Sequence, residues 1–206
     1  MPSTGWVDRF LRSVPWNVPV YWALDLETSG LRTGQDQILS VGMVPIREGA
    51  VRWGERFYSL VAPLDPASLS PEGIRAHHIL PSELVNAPPL GAVLCEVDRR
   101  IREGVLLLHH APLDLGFLRE AYRRFGMTWP TPKVVDTVDL IVRWQHRRQR
   151  FEPHAKPFRT GLAAVREEFG LPPFVNHQAL NDALATAELF LVLRSKLGAK
   201  TLRQVL

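Results

Sequence analysis

Cysteine is nearly absent from this chain. Cys95 is the only one in 206 residues, so an intrachain disulfide and a zinc site built from several cysteines are both excluded. The same scarcity fits a reducing compartment, and we expect a cytoplasmic protein. No apolar run approaches the length of a transmembrane helix. Asp8, Arg9 and Arg12 interrupt the apolar residues that a signal peptide would need. We therefore expect no association with a membrane.

Excess positive charge is small overall and concentrated in one segment. The net charge is +4, and 46% of the residues are hydrophobic, which is typical of a globular protein. Residues 143–159 contain six Arg or Lys side chains and one acid, Glu152, so this segment alone carries +5. Trp144, Phe151 and Phe158 lie between the charges. A solvated basic loop and a phosphate-binding surface with stacking rings are the two interpretations. The second assigns substrate contacts beside an active-site cleft to Arg147, Arg148 and Arg150.

Hydrophobic periodicity predicts one domain over residues 19–200, with an N-terminal extension (1–18) and a C-terminal tail (201–206). Trp6, Phe10 and Val14 recur at four-residue spacing, which predicts a short amphipathic helix in the extension. Strands predicted first, followed by alternating helices and strands, indicate a layered α/β domain. The predicted strands cover residues 21–27, 37–46, 51–61, 105–108 and 134–135, and the main helices cover residues 90–102, 114–125, 136–148, 160–169 and 178–197.

Two carboxylates stand close together at the end of the first predicted strand. Asp25 and Glu27 follow an apolar run and precede the turn at residues 29–30. Residues i and i+2 of a strand point to the same face of a sheet, so both side chains project together. Like charges at this separation repel unless a cation lies between them. The pair therefore indicates a site for a hard divalent metal, and a solvated strand edge is the alternative for an isolated acid pair.

A third acid, Asp114, lies where a buried strand meets a helix. It is either the N-cap of that helix or an active-site acid, because sites in α/β sheets gather at such strand ends. His109 and His110 precede it. Adjacent residues on a strand point to opposite faces, so we expect these two histidines to be structural or to support the metal ligands, rather than to form a zinc site.

The fourth acid, Asp182, lies near the apolar stripe of the last predicted helix. A carboxylate in that position needs a partner, either a metal or an Arg from elsewhere in the fold. His177 precedes it by five residues and is expected on the loop before the helix, since residues five apart do not share a helical face.

In order and spacing, these residues resemble the three motifs of the DEDD exonucleases, in the branch with a histidine five residues before the last aspartate. The matching motifs are Asp25-x-Glu27, His109 to Asp114 with Phe117-Leu118, and His177-x-x-x-x-Asp182. This branch includes the proofreading (epsilon) subunit of bacterial DNA polymerase III and its stand-alone relatives. The second motif departs from the family, because His110 and Leu113 stand where relatives often have Asn and Phe.

The resemblance implies a ribonuclease H-like three-layer fold with a central mixed five-stranded sheet flanked by helices. It also implies two divalent cations, Mg²⁺ or Mn²⁺, that support phosphodiester hydrolysis. Asp25 would bridge both ions, and Glu27 and Asp182 would complete the ion beside the attacking water. Asp114 would reach the second ion through water.

By the same resemblance, His177 is the general base, and Leu26 and Thr28 lie beside the terminal nucleotide. The implied activity is a 3′→5′ exonuclease that releases nucleoside monophosphates from single-stranded or frayed DNA ends in proofreading or repair. An exoribonuclease or oligoribonuclease is the first alternative, because the motifs do not show whether the site accepts a 2′-hydroxyl group. A non-catalytic nucleic-acid-binding subunit of a polymerase is the second, and the full set of acids disfavours it. Association with a DNA polymerase remains open, and the short ends favour a stand-alone protein.

Overall fold

The computed structural model describes residues 11, 13–65, 74, 78–154, 156–157 and 159–206. Trp6 and Phe10 of the predicted N-terminal helix lie outside these residues, as does Phe158 of the basic segment. Val14 is described, and it packs against the core. No helix within the described ranges combines the length and apolar character needed to cross a membrane.

A mixed sheet lies at the centre of the domain. Its strands, among the described residues, are β1 Tyr21–Thr28, β2 Ile38–Arg47, β3 Ala50–Val51, β4 Phe57–Leu60, β5 Val105–Leu108 and β6 Lys133–Asp136. The strand order is β3-β2-β1-β5-β6, and β4 also pairs with β2. β1 is antiparallel to β2 and parallel to β5, which in turn is parallel to β6.

Helices cover both faces of this sheet. They are α1 Pro81–Leu84, α2 Leu90–Glu103, α3 Ala111–Arg124, α4 Thr137–Gln149, α5 Leu162–Glu168, α6 Ala179–Leu197 and α7 Leu202–Val205. Trp22 and Leu24 of β1 are buried in the cluster that includes α2 and α3, whereas Tyr21 and Ala23 are buried in the cluster that includes α4 and α6. This alternation follows from the two-residue period of a strand that is covered on both sides. The predicted three-layer α/β fold is confirmed.

The predicted hairpin differs from the structure in its second half. Residues 51–61 were expected to form one long strand, but a 3-10 turn at Trp53–Glu55 divides this stretch into β3 and β4. The division raises the strand number from five to six. Gly54 lies in the turn, where an exposed glycine weakens strand pairing.

The C-terminal residues 201–206 are not a tail. Thr201 begins α7, and its side chain and that of Gln204 form a capping box. Leu202 and Val205 are 4% and 1% exposed, so this turn of helix is part of the core. The backbone N–H of Leu202 donates to the carbonyl of Val14, which joins this segment to the other end of the domain.

Candidate active site

The end of β1 presents the first acid pair. Asp25 pairs with Gly42 of β2 and Glu27 with Ser40, and the register shifts between Glu27 and Thr28. Such irregularities end strand pairing and redirect side chains next to active sites. Both carboxylates are half-buried at this strand end. The same-face arrangement that the sequence predicts is therefore present.

Gly42, which has no side chain, allows Asp182 to lie close to this pair. A Cβ atom on Gly42 would lie 2.3 Å from the backbone of Ala179 and Leu180, so only glycine permits the first turn of α6 to approach β2 this closely. Asp182 lies in that turn and is 9% exposed. One carboxylate oxygen from each of Asp25, Glu27 and Asp182 lies within 4.8 Å of the others. Three acids distant in sequence thus face one another at one point.

Asp114 lies behind this group rather than within it. Helix α3 begins at Ala111, three residues earlier than expected, so Asp114 is in the first turn and is not the N-cap. Its Oδ1 accepts a hydrogen bond of 3.2 Å from the backbone N–H of Leu26. Asp114 is 6% exposed, and it contacts the strand end that presents Asp25 and Glu27.

Asp136 fixes the start of α3, a role that the sequence did not reveal. Its carboxylate accepts hydrogen bonds from the backbone N–H groups of His110 (3.1 Å) and Ala111 (2.8 Å), and also from Val138 (2.9 Å). One side chain therefore caps α3 and α4 together. The only sequence signal was its position at the start of the helix predicted over residues 136–148.

The acids repel one another and have lost much of their solvation. Burial, followed by repulsion from Asp182 and Asp114, raises the pKa of Glu27 to about 8. Burial is also the main cause that raises the pKa of Asp114 to about 7 and the pKa of Asp25 well above its ordinary value. Burial raises the pKa of Asp182 as well, and hydrogen bonds from the backbone of Gln178 and His177 partly offset it. Within the described residues, no Arg, Lys or His forms an ion pair with any of the four acids.

This arrangement fits divalent cations. The predicted alternative for Asp182, an ion pair with an Arg, is not formed among the residues that the structure describes. Three converging carboxylates without a cationic partner offer oxygen ligands of the kind that Mg²⁺ and Mn²⁺ prefer. A cation there would relieve the repulsion that raises these pKa values. Asp25, Glu27 and Asp182 could hold it directly, whereas Asp114 is not one of the three converging acids.

An open cleft of about 690 Å³ leads to these acids. His177 lies on its wall, on the exposed loop before α6 where the sequence placed it, with a left-handed backbone (φ 61°). Leu26 and Thr28 also line the cleft, and the Thr28 hydroxyl donates to the carbonyl of Gly30 at 2.6 Å. The opposite wall is formed by residues 161–164, at the start of α5. Sequence reasoning missed this wall, because its side chains are small or apolar and carry no chemical signal.

His109 also lines the cleft, a position compatible with either of the two roles expected for it. Its Nδ1 lies 2.7 Å from the hydroxyl of Thr137, and its ring lies 5.0 Å from that of His110, measured between centroids. Burial and the neighbouring His110 lower the pKa of His109 to about 4. The ring is therefore neutral at physiological pH and adds no positive charge to the acids.

The part of the basic segment that carries Arg147, Arg148 and Arg150 is not beside the cleft. Arg147 donates to the carbonyl of Leu197 at 2.7 Å, at the last residue of α6, whereas Asp182 is in the first turn. The helical rise places these two ends roughly 22 Å apart. Arg148 pairs with Glu152 at 2.8 Å, and Arg150 caps the C-terminal end of α4. The structure thus corrects the predicted position of Arg147, Arg148 and Arg150, because α4 runs away from the site.

Comparison with known proteins gives a consistent result. The RNase_T exonuclease family matches residues 22–190 of this chain. A Mycobacterium tuberculosis protein described as a bifunctional exonuclease/endonuclease is 36% identical over 181 residues, which are 85% of this chain and 26% of that protein. A PolC-type DNA polymerase III of Staphylococcus haemolyticus is 28% identical over 171 residues, which are 83% of this chain and 11% of the polymerase. The chain thus spans about a quarter or less of these relatives.

The fold has a counterpart among solved structures. Escherichia coli exonuclease I, in a zinc-bound complex with single-stranded DNA, superposes with a TM-score of 0.72. The match covers 86% of this chain and 41% of the exonuclease, at 17% sequence identity. At that identity the likeness concerns the fold alone.

Proposed function

This chain belongs to the RNase_T exonuclease family, and on that premise we propose that it is a metal-dependent 3′→5′ exonuclease that releases nucleoside monophosphates from DNA ends. The observation that carries the proposal is the convergence of Asp25, Glu27 and Asp182 within 4.8 Å at the head of an open cleft. A fold that merely bound nucleic acid would gain nothing from burying carboxylates that repel one another and the phosphates of a ligand.

We assign the acids different tasks. Asp25, Glu27 and Asp182 would hold divalent cations, Mg²⁺ or Mn²⁺. Asp114 would support this metal site, and it holds the strand end through its hydrogen bond with Leu26. When bound, such ions supply an activated water and neutralise the charge that develops on the leaving 3′ oxygen.

His177 is the proposed general base. It lines the same cleft as Asp25, Glu27 and Asp182, and its residue is exposed to solvent. Imidazole is the side chain most often used as a general base that takes a proton from water near neutral pH. His109 is not suited to this task, because its pKa is lowered to about 4.

The terminal nucleotide is proposed to lie along Leu26 and Thr28. Their backbone and the residues up to Leu31 line the cleft beside the acids. Single-stranded or frayed DNA is the proposed substrate, and the complex of exonuclease I with single-stranded DNA supports this choice. The polymerase relative supports a proofreading or repair role, with or without an associated polymerase.

The basic segment is proposed to contact the substrate strand away from its 3′ end. Arg147, Arg148 and Lys196 surround a hollow of about 280 Å³ with Trp144 and the exposed ring of Phe151. Cations beside an exposed aromatic ring can bind a single nucleic-acid strand, because the cations contact its phosphates and the ring stacks on a base.

The decisive experiment is a digestion of three substrates, each labelled at the 5′ end. Single-stranded DNA, RNA of the same sequence and a mismatched duplex are incubated with Mg²⁺, Mn²⁺ or EDTA. We expect a ladder of products shortened from the 3′ end, on DNA in preference to RNA, that requires metal. Asp25→Asn is expected to abolish the ladder, and His177→Ala to lower kcat by about 10² to 10⁴-fold. Faster digestion of RNA would favour an exoribonuclease, and no digestion with either metal would contradict the proposal.

A further inference from the structure

The loop between α5 and α6 carries His177 but has few contacts of its own. Among the described residues, positions 172, 173 and 175–177 are exposed. A hollow of about 580 Å³ lies against this loop and shares Ala163 and Asn176 with the cleft. His177 has a left-handed backbone, which a residue with a side chain keeps only when its surroundings hold it there. Something must therefore fix this loop.

Arg166 is placed to do so. It lies on α5, its side chain is 3% exposed, and its guanidinium group contacts both the loop and α6. Nη2 donates to the carbonyl of Pro172 in the loop at 3.2 Å, and the guanidinium carbon lies 4.9 Å from the ring centroid of Phe174. Nη1 donates to the carbonyl of Ala185 in α6 at 2.9 Å.

A lysine could not make this set of contacts. The planar guanidinium offers five donors in a fixed fork and a face that stacks on an aromatic ring. Glu188 of α6 lies 2.8 Å from Nη2 and neutralises the charge, without which a buried cation would be destabilising. Asn181 donates a longer hydrogen bond of 3.4 Å to the carbonyl of Val175, and at the end of the loop Asp182 accepts hydrogen bonds from the backbone of Gln178 and His177.

We propose that Arg166 is a positioning residue for His177. It ties the loop to α5, whose first turn is the opposite wall of the cleft, and to α6, which carries Asp182. The histidine is thereby held at a fixed place relative to the acids. This inference rests on the proposed role of His177 as general base, and Arg166 itself touches no reacting atom.

The test compares Arg166→Met and Arg166→Lys with a matched control. Arg100 is also a buried, ion-paired arginine that stacks on an aromatic ring, with 2.7 Å to Glu96 and 4.2 Å to the centroid of Phe57, but it lies on α2 away from the cleft. We expect Arg166→Met to lower kcat on the order of 100-fold with little change in KM, since small misplacements of catalytic groups have effects of that size. Arg100→Met should leave kcat unchanged. An equal loss in the two variants would overturn the proposal.

A double-mutant cycle separates positioning from general stability. In a His177→Ala background, Arg166→Met should produce no further fall in kcat, because the group that it positions is gone. An equal fall in both backgrounds would contradict the proposal. Arg166→Lys keeps the charge but not the fork, so it should fold and still show most of the kcat loss. Full activity of this variant would also overturn the proposal.

Hydrogen exchange gives a reading that does not depend on activity. In Arg166→Met, backbone amides of residues 171–178 should exchange faster, while those of β1 and β5 keep their protection. Unchanged exchange in the loop would show that Arg166 does not hold it in place. If the wild-type protein digests no substrate, the proposed function fails, and this measurement still decides whether Arg166 holds the loop.

Discussion

The backbone N–H of Leu26 donates a hydrogen bond of 3.2 Å to Oδ1 of Asp114. Leu26 stands between Asp25 and Glu27, so Asp114 holds the strand end that presents both of these carboxylates. The fourth acid therefore has a structural task that can be separated from its charge.

Two substitutions at Asp114 should behave differently. Asp114→Asn keeps an oxygen acceptor for Leu26 and removes the charge, so we expect lost activity with unchanged or raised stability. Asp114→Ala also leaves the Leu26 amide unpaired and should lower the free energy of unfolding by about 1–3 kcal/mol. Thermal unfolding of both variants without metal, beside an exonuclease assay, makes the comparison. Equal stability of the two variants would argue against a structural role for the hydrogen bond.

Stability of the metal-free protein should fall as pH rises toward about 8 and level off above that value. The pKa of Glu27 is about 8 in the folded state against an ordinary 4.5, and the pKa of Asp114 is about 7 against 3.8. The folded state thus binds these protons more tightly than the unfolded state. The resulting stabilisation is complete below the ordinary values and is lost as pH rises through about 7 to 8.

His109 has the opposite effect at lower pH, which sets the window for the measurement. The pKa of His109 is about 4 against an ordinary 6.5. Its contribution to the stability of the folded state is therefore present above pH 6.5 and is lost as pH falls through 4. Between pH 6.5 and 8.5 the raised pKa values of the acids change the stability, whereas His109 does not. We expect Tm to decline across this window without metal, and Mg²⁺ or Mn²⁺ to raise Tm more at pH 8.5 than at pH 6.5. A Glu27→Gln variant should show a smaller decline, and a flat Tm in the wild type would contradict the raised pKa values.

Glycine at position 42 should be required for the site. Gly42→Ala would place a Cβ 2.3 Å from the backbone of Ala179, and neither strand nor helix can give way cheaply. We expect the free energy of unfolding to fall by about 1–3 kcal/mol, as for other overpacked positions, together with weaker metal binding. Gly54→Ala is the control, since no atom lies within 4 Å of a Cβ there. Wild-type metal affinity in Gly42→Ala would show that the close approach is not needed.

Neutralising the basic segment should affect long substrates only. A variant with Gln in place of Arg147, Arg148 and Arg150 leaves the cleft intact, because these residues lie near the far end of α6. We expect unchanged cleavage of a dinucleotide and a raised KM for a long single strand. The slope of log affinity against log salt should shrink by about 2, at roughly 0.7 for each phosphate that an arginine no longer neutralises. An unchanged KM and salt slope on the long strand would leave the segment as a solvated surface.

The layers of the fold and the same-face arrangement of Asp25 and Glu27 could be predicted from the sequence, because both depend on local patterns. The alternation at Tyr21 to Leu24 and the spacing of Asp25 and Glu27 are read directly from neighbours in the chain. The position of Arg150 could not be read in this way. It depends on the direction in which α4 leaves the sheet, and the sequence of the segment itself carries no information on that direction.

Roles that depend on distant partners were also missed. Asp136 resembles any helix cap, and only the fold shows that it caps α3 as well as α4. Arg166 resembles an ordinary charged residue of a short helix, and its burial follows from contacts with segments on both sides of His177. The start of α3 at Ala111 follows from the same long-range cap.

The contact between Gly42 and Ala179 also determines when the site can exist. Asp25 and Glu27 are translated before Asp182, so the whole stretch from β1 to α6 must be translated before the three acids can meet. Domains acquire structure as the chain emerges from the ribosome, N-terminal parts first. A nascent or truncated chain without α6 has only the β1 pair of acids, and it should bind no cation tightly. We therefore expect a chain that ends before α6 to lack nuclease activity.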